Sequence, residues 1–288
     1  MAIESLHALE KASENKDIFE VVLDSDCTDR GVSREASLEK MHALYAAIRR
    51  ARKGYDPTLR SASGMVGGDG AKMREYVQKG KTICGDYIGQ VIAQALEMGE
   101  SNACMKCIVA APTAGSCGVL PAVLLPYQAR EGLDDDAMVR ALYIAGAIGQ
   151  VVATKASIAG AAGGCQAEIG TASAMGAAAL CYLGGGSAQA VCHAAAIAIK
   201  SMLGLVCDPI AGLVEVPCVK RNAAGAMIAM SSADMALAGI RSAVPPDEVI
   251  LAMREVGDKM DVSLKETGVG GVAGTPFGQK IAEKMGVL

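Results

Sequence analysis

The sequence predicts an all-α fold, a compact multi-helix domain whose glycine-rich loops surround a buried site. Two observations carry this expectation. Apolar residues recur at helical spacing in the charged parts of the chain, whereas the alternation of a half-buried strand is hard to find. Aromatic residues are only 3% of a chain that is 51% hydrophobic, so Ala, Leu, Ile, Val and Met must fill the core, with 34 glycines letting helix backbones approach closely.

The elements follow in order. A helix is expected over residues 33–52, with Ser33 as N-cap, basic residues in the last turn and Gly54 just beyond. Residues 107–129 are uncharged but interrupted by Pro112, Pro121 and Pro126. The acidic trio Asp134, Asp135 and Asp136 sits where the helix dipole favours negative charge, ahead of Met138, Leu142, Ala145, Ile148 and Val152 at helical spacing. The longest uncharged stretch, 169–199, has the length of a membrane span but is mostly Ala, Gly and Ser, and Gly184, Gly185 and Gly186 break it. A span needs about 20 strongly apolar residues, so no membrane segment is expected. A last helix should begin at Pro246, a favoured first helical position, and bury Val249, Met253, Val256 and Met260.

Charge is dense to about residue 100, sparse to about residue 240 and moderate in the tail, so the middle reads as core or interface. With a net charge of −4 and 20% charged residues there is no basic footprint for nucleic acid or anionic lipid. The first twenty residues match neither a secretory signal nor a transit peptide, which points to the cytoplasm. No repeat or low-complexity linker divides the chain, and residues 1–288 read as a single domain. In a reducing compartment its ten cysteines are buried thiols, metal ligands or catalytic thiolates rather than a disulfide framework.

Two glycine-rich loops stand out, SASGMVGGDG at 61–70 and APTAGSCG at 111–118. Neither spells a P-loop or a dinucleotide fingerprint; such loops either offer backbone N–H groups to an anion or turn tightly between helices. Cys104 and Cys107 form a Cys-x-x-Cys pair with no second pair at zinc spacing, and they read as buried thiols. His193, beside Cys192, reads as a satisfied core histidine. Cys165, Cys207 and Cys218 differ, because Gly163, Gly164, Pro209 and Pro217 break the helical pattern around them. Each alone reads as structural. Together, three loop-borne cysteines in the charge-poor core suit an iron–sulfur cluster, and three ligands instead of four leave one iron open as a Lewis acid.

The segments APTAGSCGVLPAVL, AGAAGGCQAEIG, LGLVCDPIAGLVEVPCVKRNAAGA and ETGVGGVAGTP resemble the alpha subunits of the iron–sulfur-dependent L-serine dehydratases, or L-serine ammonia-lyases. The resemblance runs across most of the chain. It implies a [4Fe-4S] cluster on Cys165, Cys207 and Cys218, and deamination of L-serine to pyruvate and ammonia without pyridoxal phosphate. It also implies a separate beta chain, because the family's Ser-Ser-Ser-His-Thr-type loop is not found in this sequence. The base that removes the Cα proton is then a histidine of that beta chain or Lys155. Arg221, with Lys220, either orients the substrate carboxylate or is a solvated basic pair. Ser61, Ser63, Thr113, Ser116 and Asn222 are polar substrate-binding candidates in the matching segments. The pyridoxal-dependent dehydratases need a Schiff-base lysine in an α/β setting that Lys155 lacks. Two readings compete: a lyase like L-cysteine desulfidase, expelling sulfide instead of water, and a non-catalytic structural or redox-sensing subunit.

Overall fold

The computed structural model describes residues 3–287. The expected helices form where their end signals stand. Ser33 caps α3 (Arg34–Lys53) by accepting the Ala36 N–H, and Asp134 caps α7 (Asp135–Lys155) by accepting that of Ala137. Before them, α1 (Leu6–Ala12) and α2 (Ile18–Arg30) start on Ser5 and Asp17 caps. Among the described residues the one strand-like pairing is an isolated bridge between Cys207 and Lys265.

Helix α9 (Thr171–Leu183) is the axis of the molecule. Every residue from Thr171 to Cys181 is buried, the pattern of a helix apolar on all sides and surrounded by others. It packs on α7, on α6 (Val119–Glu131), on α10 (Ala188–Met202) and on α11 (Cys218–Leu237). Small residues set that proximity: a Cβ at Gly176 would meet Ala229 at 3.2 Å, and one at Gly225 would meet Ile169 at 2.7 Å. Helix α5 (Gly85–Ala103) flanks α11 and carries α4 (Asp69–Gln78), while α2 and α3 lie against α7.

Two local expectations change. Pro121 and Pro126 do not interrupt their segment but lie within α6. Pro121 is in the first turn, where backbone N–H groups lack intrahelical partners anyway. Helix α12 (Pro246–Lys259) begins at Pro246 and buries Val249, Ile250 and Met253, but Val256 is half-buried and Met260 falls one residue past the helix end. The stretch 169–199 is two helices parted by the glycine break. Helix α7 is long and apolar enough to cross a membrane, yet 67% of its most apolar window is buried against other helices.

Candidate functional site around Cys165, Cys207 and Cys218

Three backbone devices bring the cysteines of the middle segment together. The short helix α8 (Gly160–Gly163) ends at Gly164, whose φ of +75° turns the chain into a π-helical turn, Gln166–Gly170, that runs straight into α9. Cys165 is the cap residue of that turn. Buried Gln166 pins it, donating to the Met253 carbonyl at 2.9 Å and accepting from the Gly204 N–H at 2.9 Å. Cys207 follows α10 in extended backbone: its N–H donates to the Leu264 carbonyl and its carbonyl accepts from the Glu266 N–H. Cys218 is the first residue of α11, directly after Pro217. Only Cys207 is therefore borne on a loop. Cys165 and Cys218 stand at helix starts, where unpaired N–H groups and the helix dipole favour a thiolate.

All three thiols are buried, at 2%, 3% and 8% exposure for Cys165, Cys207 and Cys218. Burial pushes the Cys165 thiol up to about 11, with the Arg221 charge pulling the other way. Burial pushes Cys218 up to about 12, reinforced by Cys165 and Glu168. Cys207 is raised as well, by burial first, then by Glu168, Cys165, Glu266 and Cys218. The three thus lie within electrostatic reach of one another, and ionising them together calls for a compensating cation. Among the described residues no three His, Cys, Asp or Glu side chains gather tightly enough for a single metal ion. A cubane cluster asks for something else, since each thiolate grips a separate iron. Three buried thiols from separate segments, two at helix starts, suit that demand. All ten cysteines are free.

Sequence reasoning missed Glu168. It sits on the π-helical turn, a local widening found frequently at functional sites. The Thr113 hydroxyl donates to its Oε1 at 2.7 Å, and the Cys207 thiol lies 3.8 Å from its Oε2. Burial raises its pKa, opposed by the Thr113 hydrogen bond and reinforced by Glu266. The signal was present, because Glu168 is the only charged residue between Lys155 and Lys200. Asp208 was missed too: it is 3% exposed, its Oδ2 accepts the Val272 N–H at 2.8 Å, and a Cβ at Gly271 would fall 2.2 Å from it. The glycine-rich segment after Glu266 thus wraps the Cys207–Asp208 corner.

The polar candidates divide sharply. Ser61 and Ser63 do not offer their hydroxyls outward, for both donate to the buried carboxylate of Glu215, Ser61 at 2.6 Å. At the other end of that loop the Asp69 and Gly70 N–H groups donate to Glu100, at 2.6 and 3.2 Å. The 61–70 loop is an internal clasp whose donors are spent on the protein's own carboxylates. Arg221 is likewise committed, donating to the Val206 carbonyl at 2.7 Å and pairing with Asp208 at 2.9 Å; it is no solvated basic residue, whereas Lys220 is exposed and lies 3.5 Å from Asp69. Asn222 accepts the Gly118 N–H at 2.8 Å and donates to the Gly115 and Cys218 carbonyls at 2.8 and 3.0 Å. Ser116 turns its hydroxyl to the Ala111 and Thr113 carbonyls. Of the hydroxyls in this set, Thr113 alone hydrogen-bonds Glu168. Lys155 ends α7 half-buried, with no hydrogen bond or ion pair to the three thiols or Glu168. Cys104 and Cys107 are not the buried thiols expected, since they follow the end of α5 at the surface, Cys104 half-buried and Cys107 exposed, and His193 is satisfied by the Ser242 N–H at 3.1 Å.

Residues 13–273 match the family model described as the serine dehydratase alpha chain. The chain is 49% identical over 245 residues to a probable L-serine dehydratase alpha chain of Bacillus subtilis, covering 85% of this chain and 80% of the relative. It is 44% identical over 265 residues to the L-serine dehydratase alpha chain of Peptoniphilus asaccharolyticus, covering 92% and 91%. It is also 45% identical over 183 residues to an L-serine dehydratase of Escherichia coli, of which it covers 40%. On these matches the chain belongs to the serine dehydratase alpha-chain family, whose model spans all three cysteines.

Proposed function

We propose that this chain is the alpha chain of an iron–sulfur L-serine dehydratase, which together with a separate beta chain eliminates water from L-serine to give, after hydrolysis, pyruvate and ammonia. The observation that carries the reading is the convergence of Cys165, Cys207 and Cys218, buried and mutually coupled, in a chain related to alpha chains of that name. These three thiolates would hold a [4Fe-4S] cluster. When bound, that cluster supplies a Lewis acid to polarise the substrate's leaving hydroxyl. A cytoplasmic location, where thiols stay reduced, suits ten free cysteines.

The chain's own residues prepare the site. Arg221 fastens the Cys207 corner through Asp208 and the Val206 carbonyl and places a positive charge near Cys165, which eases thiolate formation. Asn222 ties the start of α11 to the Gly115–Gly118 turn, so the APTAGSCG loop and Cys218 move as one body. The histidine loop absent from this sequence makes the beta chain the natural source of a base, and Lys155 shows no contact that would give it that part.

The test is anaerobic reconstitution of the chain with iron and sulfide, alone and with its beta chain, followed by visible absorption and pyruvate formation from L-serine. A thiolate-to-iron band that serine perturbs, with pyruvate formed only by the pair, is the expected result. Cys207→Ser should abolish both while leaving the helical circular dichroism intact. A folded chain that forms no band would overturn the cluster assignment; sulfide release from L-cysteine without pyruvate from serine would overturn the substrate.

A further inference from the structure

Glu168 is a carboxylate without a cation. Its oxygens touch the Thr113 hydroxyl and the Cys207 thiol, and among the described residues no lysine, arginine or histidine forms an ion pair with it. Arg221, whose charge reaches Cys165 and Cys218, is already paired with Asp208. Two glycine backbones close on Glu168: a Cβ at Gly115 would lie 3.3 Å from Oε1, and one at Gly160 would lie 2.8 Å from Oε2. The Gly160 Cβ would also fall 2.8 Å from the Cys207 sulfur and 3.2 Å from Glu266 Oε2. Thr113, Gly115 and Gly160 therefore aim the carboxylate beside the thiols without any side chain between. Unlike the thiols, Glu168 keeps partial contact with solvent, and Glu266 beside it is exposed, so a ligand can reach both.

A carboxylate held by one hydroxyl, next to a second carboxylate and thiol ligands, lacks the positive charge that would balance it. L-serine brings one. Its hydroxyl and carboxylate are the groups suited to an electrophilic centre, which leaves the α-ammonium to be recognised by the protein. We propose that Glu168, aimed by the Thr113 hydroxyl and supported by Glu266, binds the α-ammonium of the amino-acid substrate. The inference rests on the L-serine reading above and assigns Glu168 to substrate selection: the site takes 2-amino-3-hydroxy acids and rejects hydroxy acids that lack the amino group.

The experiment is calorimetric binding to the assembled alpha–beta enzyme of L-serine and of 3-hydroxypropanoate, which keeps the hydroxyl and carboxylate but not the ammonium. Wild type should prefer L-serine, and Glu168→Gln should weaken L-serine by about tenfold or more while leaving 3-hydroxypropanoate within about twofold, the scale of one charge-assisted hydrogen bond. Iron content and the visible band should match wild type. Thr113→Val, which removes only the aiming hydroxyl, should shift L-serine in the same direction by less, and it carries the test if the first variant fails to fold. Equal loss of both ligands, or no loss of either, overturns the assignment of Glu168 while the activity stands. Failure of wild type to bind L-serine overturns the activity, and this proposal with it.

Discussion

Asn222 shows how much one side chain can hold. It is 1% exposed and makes three hydrogen bonds, two joining the first turn of α11 to the loop before α6 and one within that turn. Replacing it with Ala would strand the buried Gly118 N–H and Gly115 carbonyl and open a void. The expected cost is roughly 2–4 kcal/mol of unfolding free energy, read from urea denaturation. In the sequence Asn222 was visible only as a polar residue after Cys218, because what it bonds lies more than a hundred positions away. Glu168 and Glu215 were hidden for a related reason. A lone acid in a charge-poor stretch announces that it matters, but not whether it will serve a ligand or, like Glu215, two serines of a distant loop.

At the scale of the helices, the crossing of α11 over the π-turn and α9 is set by Gly225. Helix propensity alone favours Ala there by roughly 0.8–1.0 kcal/mol. The added Cβ would meet Ile169 at 2.7 Å, Ser173 Oγ at 3.0 Å and Val119 at 3.1 Å, in a core with no flexible side chain end to yield. Overpacking costs roughly 1–3 kcal/mol, so Gly225→Ala should destabilise despite the better helix former, by a lowered thermal midpoint. The ends of helices α3, α7 and α12 were legible because Ser33, Asp134 and Pro246 act locally. The π-turn ahead of α9 and the start of α11 were not, since Cys165 stands in the cap position of the one and Pro217, with no capping hydrogen bond, in that of the other. Those positions looked like loops because glycine and proline precede them.

For the molecule as a whole, burial of thiols makes stability depend on pH above neutrality. Cys117 and Cys181 are fully buried and lie outside the site, and burial raises them from 9.0 to about 12 and about 11. The unfolded chain releases these protons first, so their contribution is complete below pH 9 and is lost as pH rises toward 11 and 12. Each thiol should add a slope of about −1.4 kcal/mol per pH unit across that window. Urea midpoints between pH 8 and 11 should therefore fall, and Cys117→Ala should fall less steeply than wild type. An all-α class was legible from composition and period, because a core of Ala, Gly, Leu and Met with few aromatics leaves little else to build. The meeting of Cys165, Cys207 and Cys218 was legible as chemistry, but their placement depends on which helices touch.

That placement has a thermodynamic side. The three sulfurs belong to segments that only the packed arrangement of α9, α10 and α11 brings together, so an unfolded chain scatters them. A ligand that needs all three at once has no affinity for the scattered chain, and its free concentration acts on the folding equilibrium by mass action. At a hundred times its dissociation constant it would add about 2.7 kcal/mol to the native state. With the cluster proposed above as that ligand, reconstitution with iron and sulfide would raise the chain's thermal midpoint as well as colour it.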